Sequence, residues 1–140
     1  MFPVPIFSSK VGADVGDIEH SLRFAASRGT YLRRTPSVGG DRQKWTWSGW
    51  VKRGLLGAGP FSLFSAPNGS AADVFDFTND ELRFTYYTGA VTVLRRSTGV
   101  FRDPSAWYHL MWVLDTRNAT AQDRLRAYVN GIEITAWSTN

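Results

Sequence analysis

Hydrophobic and polar residues alternate with a period of two along most of the chain. The alternation is clearest in seven segments: TYLRRT (30–35), WTWSGWVK (45–52), DVFDFT (73–78), ELRFTYYT (81–88), AVTVLRRS (90–97), WYHLMWVLD (107–115) and DRLRAYVNGIEIT (123–135). Successive side chains of a β-strand point to opposite faces of the sheet, so this pattern predicts strands. No segment has a convincing helical period, and the sequence therefore predicts an all-β protein.

Turn-forming residues separate these segments. Gly, Pro, Asn and Asp cluster between them, where the backbone of a turn requires unusual dihedral angles. Asn130-Gly131 lies between RLRAYV and IEIT, and this dipeptide between alternating residues is typical of a type I′ β-hairpin. About eight to ten short strands at this spacing predict an antiparallel sandwich or barrel.

Residues 1–20 have a different character and are predicted to form an extended N-terminal arm. Two prolines, at positions 3 and 5, disfavour a central strand. The large hydrophobic residues of the arm are Phe2, Val4, Ile6 and Phe7. Exposed hydrophobic residues of this kind mark contact sites, so we expect the arm to dock the domain onto another subunit.

Three tryptophans fall within six positions of the segment WTWSGWVK. On a strand, Trp45, Trp47 and Val51 share one face, which we expect to be the core face. Trp50 lies on the opposite face with Thr46, Ser48 and Lys52. It is therefore either a ring on a binding surface or a structural residue covered by a neighbouring loop.

The segment WYHLMWVLD raises the same question of which face is packed. Trp107, His109, Met111 and Val113 share one face, and we expect this to be the packed one. Trp107 is thus predicted, with Trp47, as a core tryptophan. His109 is predicted as a packed histidine and not as a metal ligand or a base.

The composition of the chain excludes several classes of protein function. A chain of 140 residues has the length of one domain, and the absence of cysteine excludes disulfides, thiolate zinc sites and cysteine nucleophiles. The formal net charge is +4, but the arginines are spread along the strands and form no single basic segment, which argues against nucleic-acid binding. No run approaches the roughly 20 apolar residues of a membrane span.

A series of motifs connects the sequence to a known family. In order, they are SLRF, YLRRTPS, WTWSGWVKRG, FSLFSA, ELRFTYY, WYHLMWVLDT and RLRAYVNGIEIT. From residue 21 onward, this order resembles the laminin G-like branch of the concanavalin A-like lectin/glucanase superfamily. The combination of TWSGWVKR, FRDPSAWYHL and DTRNATAQDRL is most similar to domains of bacteriophage tail fibres and other virion proteins.

The resemblance implies a fold: an antiparallel two-sheet jelly-roll sandwich over residues 21–140, preceded by the arm at 1–20. Family members usually continue past the YVNG hairpin to a terminal strand that closes the sheet, whereas this chain ends at TAWSTN. We therefore expect a domain that lacks its closing strand and is either abbreviated or completed by another chain.

The resemblance also implies a function. We expect a non-catalytic virion structural protein, a component of a tail fibre, spike or capsid decoration. It would assemble with other virion subunits as a homo-oligomer and bind host-surface glycans. The alternative is a stand-alone carbohydrate-binding module. The candidate sugar-stacking rings are Trp50, Tyr86 and Tyr87.

A glycoside hydrolase is a third alternative, and the residues argue against it. Glucanases of the superfamily place carboxylates at every second position of one strand. Asp17 and Glu19 are the candidates here, but Ser21 occupies the third position. No catalytic residues are predicted.

Calcium is the one cofactor that the resemblance leaves open, because laminin G-like lectins often hold it at the rim of the sandwich with oxygen ligands. The candidate ligands are Asp73, Asp103, Asp115 and Asn118. The competing interpretation, which we prefer, is that these side chains cap turns.

Overall fold

A computed structural model of the protein describes residues 20–25 and 29–139. The chain divides into two units, residues 1–39 and residues 40–140. The arm residues Phe2, Val4, Ile6 and Phe7 lie outside the described residues, as do Asp17 and Glu19.

The described part of the first unit contains no strand. The strand predicted at 30–35 is wrong, because the structure assigns no strand to these residues. Alternation of side chains makes a strand only where a neighbouring strand pairs with it. The Thr30 hydroxyl instead accepts a hydrogen bond of 2.9 Å from the Ala25 backbone amide.

The described residues of the second unit form nine strands and a short 3₁₀ helix, Ala121–Arg124. The strands are β1 Lys44–Lys52, β2 Phe61–Asn68, β3 Ala71–Thr78, β4 Glu81–Thr88, β5 Val91–Val100, β6 Trp107–Asp115, β7 Leu125–Val129, β8 Ile132–Glu133 and β9 Trp137–Thr139. The prediction of an all-β protein is confirmed. The part of the chain that the structure describes contains no helix long and apolar enough to cross a membrane.

The strands form two antiparallel sheets. The four-stranded sheet has the order β1-β6-β7-β8, and the five-stranded sheet has the order β2-β3-β4-β5-β9. In the described residues, β1 and β8 are thus the edges of the first sheet, and β2 and β9 are the edges of the second.

The inner faces of the two sheets build one core. The five-stranded sheet contributes Phe75, Phe77, Leu82 and Phe84, and the four-stranded sheet contributes Leu110, Trp112, Leu125 and Ala127. Trp112 stacks on Phe75 at 4.7 Å between ring centroids, with 15° between the planes. The fold is therefore a β-sandwich.

Strand β1 presents its two faces as predicted. Trp45, Trp47 and Val51 pack against the core, and the side chains between them point outward. The opposite face of β1 is polar except for Trp50, so the core face could be identified from the sequence.

Strand β6 packs against the core with the face opposite to the predicted one. Leu110 and Trp112 are the buried residues, and Trp107 is 48% exposed. The prediction that Trp107 lies in the core is wrong, whereas His109 is partly buried and lies against the Trp50 ring on the outer side of the sheet. Both faces of WYHLMWVLD are rich in apolar residues, so the alternation does not distinguish the inner face from the outer one.

The turn between β7 and β8 is the predicted hairpin. Asn130 has φ 51° and Gly131 has φ 81°, and positive values at both central residues are characteristic of a type I′ turn. The Asn130 side chain accepts a hydrogen bond of 2.8 Å from the His109 backbone amide. The hairpin is thereby tied to the neighbouring strand β6.

A buried carboxylate joins the loops at one end of the sandwich. Asp80, in the turn between β3 and β4, accepts hydrogen bonds from Arg53 Nη1 at 2.8 Å, from the Gly57 amide at 2.7 Å and from Arg102 Nε at 3.0 Å. The Gly57 hydrogen bond, with the two arginines, holds the pKa of Asp80 below its usual value, although burial acts in the opposite direction. Asp80 therefore fixes the segment after β1 to the turn between β3 and β4.

Candidate functional site

The outer face of the four-stranded sheet carries a group of exposed aromatic residues. The register of β1 and β6 places Trp50 opposite His109 and Lys52 opposite Trp107. Met111 in β6 lies opposite Tyr128 in β7. Paired residues of an antiparallel ladder project to the same face. Trp50, Trp107, His109, Met111 and Tyr128 therefore form one surface, which we call the outer aromatic face.

Two indole rings of this face are accessible to solvent. Trp50 is 53% exposed and Trp107 is 48% exposed. They are diagonal neighbours on adjacent strands, a relation in which the Cα atoms are about 7–8 Å apart. A ligand lying across β1 and β6 can contact both rings.

Neighbouring side chains fix the orientation of Trp50. Its ring lies 5.2 Å from that of His109, with an angle of 51° between the planes. His109 is itself positioned by two backbone hydrogen bonds with Asn130, one to the side chain and one from the backbone amide. No loop of the described residues covers the Trp50 ring.

Charged side chains of both signs border the outer aromatic face. Lys44 and Asp115 form an ion pair of 3.2 Å at one end of β1 and β6. Lys52 lies at the other end, and Glu133 of β8 is opposite Tyr128. The border is therefore mixed in charge.

The outer face of the five-stranded sheet is different in chemistry. Arg83 forms a bidentate pair with Asp76, with bonds of 2.9 and 2.6 Å. Arg96 lies 3.8 Å from Glu81 on the neighbouring strand. These charges pair with one another across neighbouring strands.

The three predicted sugar-stacking residues do not come together. Trp50 lies on the outer aromatic face, whereas Tyr86 packs against the core. Tyr87, the next residue of β4, is 41% exposed on the outer face of the other sheet. A single sugar cannot contact all three rings, because the core of the sandwich separates them.

The predicted calcium ligands lie mainly in turns, where they accept hydrogen bonds from residues two positions ahead. Asp103 bonds Ser105, Asp115 bonds the Arg117 amide, and Asn118 bonds the Thr120 amide. This is the capping geometry of Asx turns. The hydroxyl and amide of Ser105 lower the pKa of Asp103.

Asp73 lies apart from these turns. It faces the Tyr86 position in the ladder between β3 and β4, and burial raises its pKa. No group of three or more His, Cys, Asp or Glu side chains that could hold a metal occurs in the described residues.

Sequence reasoning missed Trp107 and Tyr128 as members of the outer aromatic face. The alternation in WYHLMWVLD already places Trp107 and His109 on one face of β6. Had this face been assigned to the outer side of the sheet, the two residues would have been grouped with Trp50. The five members come from three strands of separate sequence segments, and their proximity depends on the pairing of β1 with β6 and of β6 with β7.

Comparison of the chain with protein-family models, with curated proteins and with solved structures gave no match.

Proposed function

We propose that the chain is a non-catalytic glycan-binding domain of a virion structural protein, and that its outer aromatic face contacts the glycan. The observation that carries this proposal is the pair of half-exposed indoles, Trp50 and Trp107, on adjacent strands of a rigid sheet. Aromatic rings provide flat apolar area at low cost in conformational entropy. Pyranose rings present apolar C–H faces that stack on such area.

The fold that we propose is a jelly roll of the laminin G-like, concanavalin A-like kind. Two antiparallel sheets around a shared aromatic core support it, as does the Asn130-Gly131 hairpin within the motif RLRAYVNGIEIT. The proposed place in the virion rests on the resemblance of TWSGWVKR and FRDPSAWYHL to bacteriophage tail-fibre domains.

Assembly is part of the proposal. The hydrophobic arm residues Phe2, Val4, Ile6 and Phe7 would dock the domain onto other virion subunits, and the protein would form a homo-oligomer. A stand-alone carbohydrate-binding module would use the same outer aromatic face. The two versions differ in whether the chain assembles with others.

The test is glycan binding by the full chain and by single variants. We expect Trp50→Ala and Trp107→Ala each to weaken binding about 30-fold, the loss that corresponds to about 2 kcal/mol for a central aromatic contact. Tyr87→Ala is the matched control, because it removes an exposed ring from the other sheet and should leave binding unchanged.

The binding is measured on a glycan array, and two results of this measurement would overturn the proposal. One is the absence of binding to any glycan presented as a multivalent array. The other is binding that survives both tryptophan substitutions while the variants keep the circular dichroism spectrum of the unmodified chain.

A further inference from the structure

One side of strand β1 has no strand partner among the residues that the structure describes. β1 pairs with β6 on its other side and forms an edge of the four-stranded sheet. No loop in the described part of the chain donates a backbone hydrogen bond to this side of β1 or accepts one from it. We call it the open edge. An edge strand of this kind, nine residues long, is a template for pairing with another strand.

The pairing of β1 with β6 shows which backbone groups face the open edge. The Thr116 amide donates a hydrogen bond of 2.9 Å to the Gln43 carbonyl oxygen. This pair continues the register of Lys44 with Asp115, and hydrogen-bonded pairs alternate with non-hydrogen-bonded pairs along an antiparallel ladder. The N–H and C=O groups that face the open edge therefore belong to every second residue of β1, namely Lys44, Thr46, Ser48, Trp50 and Lys52.

The pairing of β6 with β7 gives the same phase. The Asn130 amide donates a hydrogen bond of 2.8 Å to the His109 carbonyl oxygen, so the backbone of His109 faces β7. Trp50, which lies opposite His109 in β1, is therefore in a non-hydrogen-bonded pair, and its own backbone groups face the open edge.

The core side of β1 is incompletely covered next to the open edge. Trp45, Trp47 and Val51 pack against the core, yet each is only partly buried. Strand β2, whose Phe64 ring lies 5.7 Å from the Trp45 ring, is also an edge strand in its own sheet. Every second side chain of a strand added to β1 would point to this side of the sheet. We expect those side chains to be apolar, because they would cover apolar surface.

The remaining side chains of an added strand would project to the same side as the outer aromatic face. There they would meet Lys44 and Lys52, the first and last residues of β1, which are both exposed. Lys52 forms no ion pair within the described residues, and the Lys44 side chain remains 65% exposed in its pair with Asp115. Opposite charges that face each other across a ladder stabilise it. Acidic residues at both ends of the added strand therefore match β1.

We infer that the open edge of β1 binds an extended segment of a partner protein, which adds to the sheet as an antiparallel strand. The segment has acidic residues opposite Lys44 and Lys52 and apolar residues at the positions beside Trp45 and Trp47. The hydrophobic part of the N-terminal arm lacks this pattern, because the first acidic residue of the chain is Asp14. The partner is therefore a different protein. This inference goes beyond the proposed function, because it concerns a protein partner and not a glycan.

The experiment measures amide hydrogen exchange of the full chain by NMR in the presence of a synthetic nonapeptide. The peptide has glutamate at both ends and alternating valine and threonine between them. We expect it to slow the exchange of the Thr46, Ser48 and Trp50 amides, which face the open edge. The Trp45 and Trp47 amides face β6 and should change little.

N-methylation of the peptide tests the direction of pairing. In the antiparallel arrangement, the threonine N–H groups face β1 and the valine N–H groups face away from it. A peptide methylated at its valine nitrogens should therefore bind, and it cannot pair with further copies of itself through that edge. A peptide methylated at its threonine nitrogens is the matched control and should not bind.

Lys52→Glu tests the charge pattern. Lys52 is at the C-terminal end of β1, so an antiparallel peptide places its N-terminal glutamate opposite this residue. The variant should bind the peptide about tenfold more weakly, because like charges opposite each other destabilise a ladder. A peptide with lysine in place of the N-terminal glutamate should restore binding, whereas lysine in place of the C-terminal glutamate should not.

Three results would overturn the inference. The first is that the peptide does not slow exchange at the open edge, and the second is that the two methylated peptides bind equally well. Both are measured on the unmodified chain and do not depend on the folding of a variant. The third is that Lys52→Glu keeps the circular dichroism spectrum of the unmodified chain and binds the peptide equally well.

This inference and the proposed function can fail separately. Glycan-array binding is measured without the peptide and depends on Trp50 and Trp107. If no glycan binds but the peptide slows exchange at the open edge, the proposed function is wrong and the inference stands. If glycans bind and the peptide does not, the inference is wrong and the proposed function stands.

Discussion

Trp112 makes aromatic contacts with three residues of the opposite sheet. It has no exposed surface and lies 6.0 Å from the Phe84 ring and 6.1 Å from the Trp137 ring, in addition to its stack on Phe75. Its indole N–H is buried and has no hydrogen-bond partner among the residues that the structure describes. The residue thus contributes through its ring and not through its polar group.

Trp112 and Trp107 provide a matched pair on the same strand. Trp112→Ala should lower the free energy of unfolding by about 3–5 kcal/mol, because it leaves a large cavity between the sheets. Trp107→Ala should cost within about 1 kcal/mol, because the ring is half exposed. Chemical denaturation followed by circular dichroism measures both values, and equal losses would contradict the assignment of the β6 faces.

Trp112→Phe refines this comparison. It keeps an aromatic ring in the core and removes the unpaired N–H donor, which is costly to bury. It should therefore be much less destabilising than Trp112→Ala in the same denaturation experiment.

Asp80 makes stability depend on pH. Its pKa in the folded protein lies below the value of about 3.9 for an unperturbed aspartate. The charged side chain therefore stabilises the fold above that value, and this contribution is lost as pH falls through the lowered pKa. Asp80→Asn should destabilise the protein at pH 7, and the difference from the unmodified chain should shrink as the solution is acidified below about pH 4.

Urea denaturation at a series of pH values tests the Asp80 prediction. Asparagine tolerates the positive φ of 65° at this position, so the substitution changes charge and not backbone geometry. Asp103→Asn is the control, because its bonds to Ser105 are exposed and should contribute little. A destabilisation by Asp80→Asn that is the same at pH 7 and pH 3 would contradict the prediction.

At the scale of elements, side chains that hydrogen-bond to several segments at once stabilise the loops between the strands. The segment after β1 is anchored by Arg53, which bonds Asp80 and the backbone oxygens of Phe101 and Leu55. The Arg53 guanidinium also lies 4.5 Å from the Phe77 ring centroid. A buried ion pair of this kind costs more to break than it contributes when intact, so the loop has little freedom to move alone.

A substitution at Gly59, in the loop that follows β1, tests how closely this loop is packed. A Cβ at this position would lie 2.4 Å from the Phe77 carbonyl oxygen, whereas a Cβ at Gly131 would meet nothing within 4 Å. Both glycines have positive φ, at 67° and 81°, so the conformational cost of alanine is similar, at about 1–2 kcal/mol. Gly59→Ala should therefore destabilise the protein clearly more than Gly131→Ala in thermal unfolding, and equal effects would show that the loop can yield.

The strands differ in how far their inner and outer faces could be predicted from the sequence. In β1, the polar residues Thr46 and Ser48 identified the outer face, and in the β7–β8 hairpin, Asn130-Gly131 identified the turn. In β6, both faces are apolar, so the phase was decided by packing against the other sheet. In TYLRRT, the apolar residues Tyr31 and Leu32 are adjacent and would project to opposite faces, so the segment defines no apolar face. Strand formation also needs a partner strand, which the pattern of one segment does not report.

The candidate site was less predictable than the fold. Trp50 could be singled out because it interrupts a polar face. The grouping of Trp50 with Trp107 and Tyr128 depends on ladder registers between distant segments, and no short motif encodes these registers.

At the scale of the whole molecule, the core lies within the second unit. All buried core residues that the structure describes fall between Phe75 and Ala127, and the partly buried residues around them extend from Trp45 to Trp137. The unit from residue 40 onward therefore contains the hydrophobic contacts that fold it. Under the proposed function, the arm at the N-terminus serves assembly.

Deletion of residues 1–16 tests that division of roles. The shortened chain should unfold cooperatively with a nearly unchanged melting temperature, because no described core residue is removed. It should no longer enter the oligomer that the full chain forms, as measured by light scattering after size exclusion. A full-length chain that is monomeric at all concentrations would contradict the assembly proposal.

The position of β1 at an edge of its sheet has a consequence for symmetry. If two copies paired through this edge about a twofold axis centred on Ser48, the antiparallel register would bring Lys44 of each copy opposite Lys52 of the other, on the same face. Like charges directly opposite each other destabilise a ladder, and lysines near a free edge discourage pairing between copies. A homo-oligomer should therefore not pair two copies of β1 about a twofold axis centred on Ser48, and this edge accepts a strand of different sequence more readily.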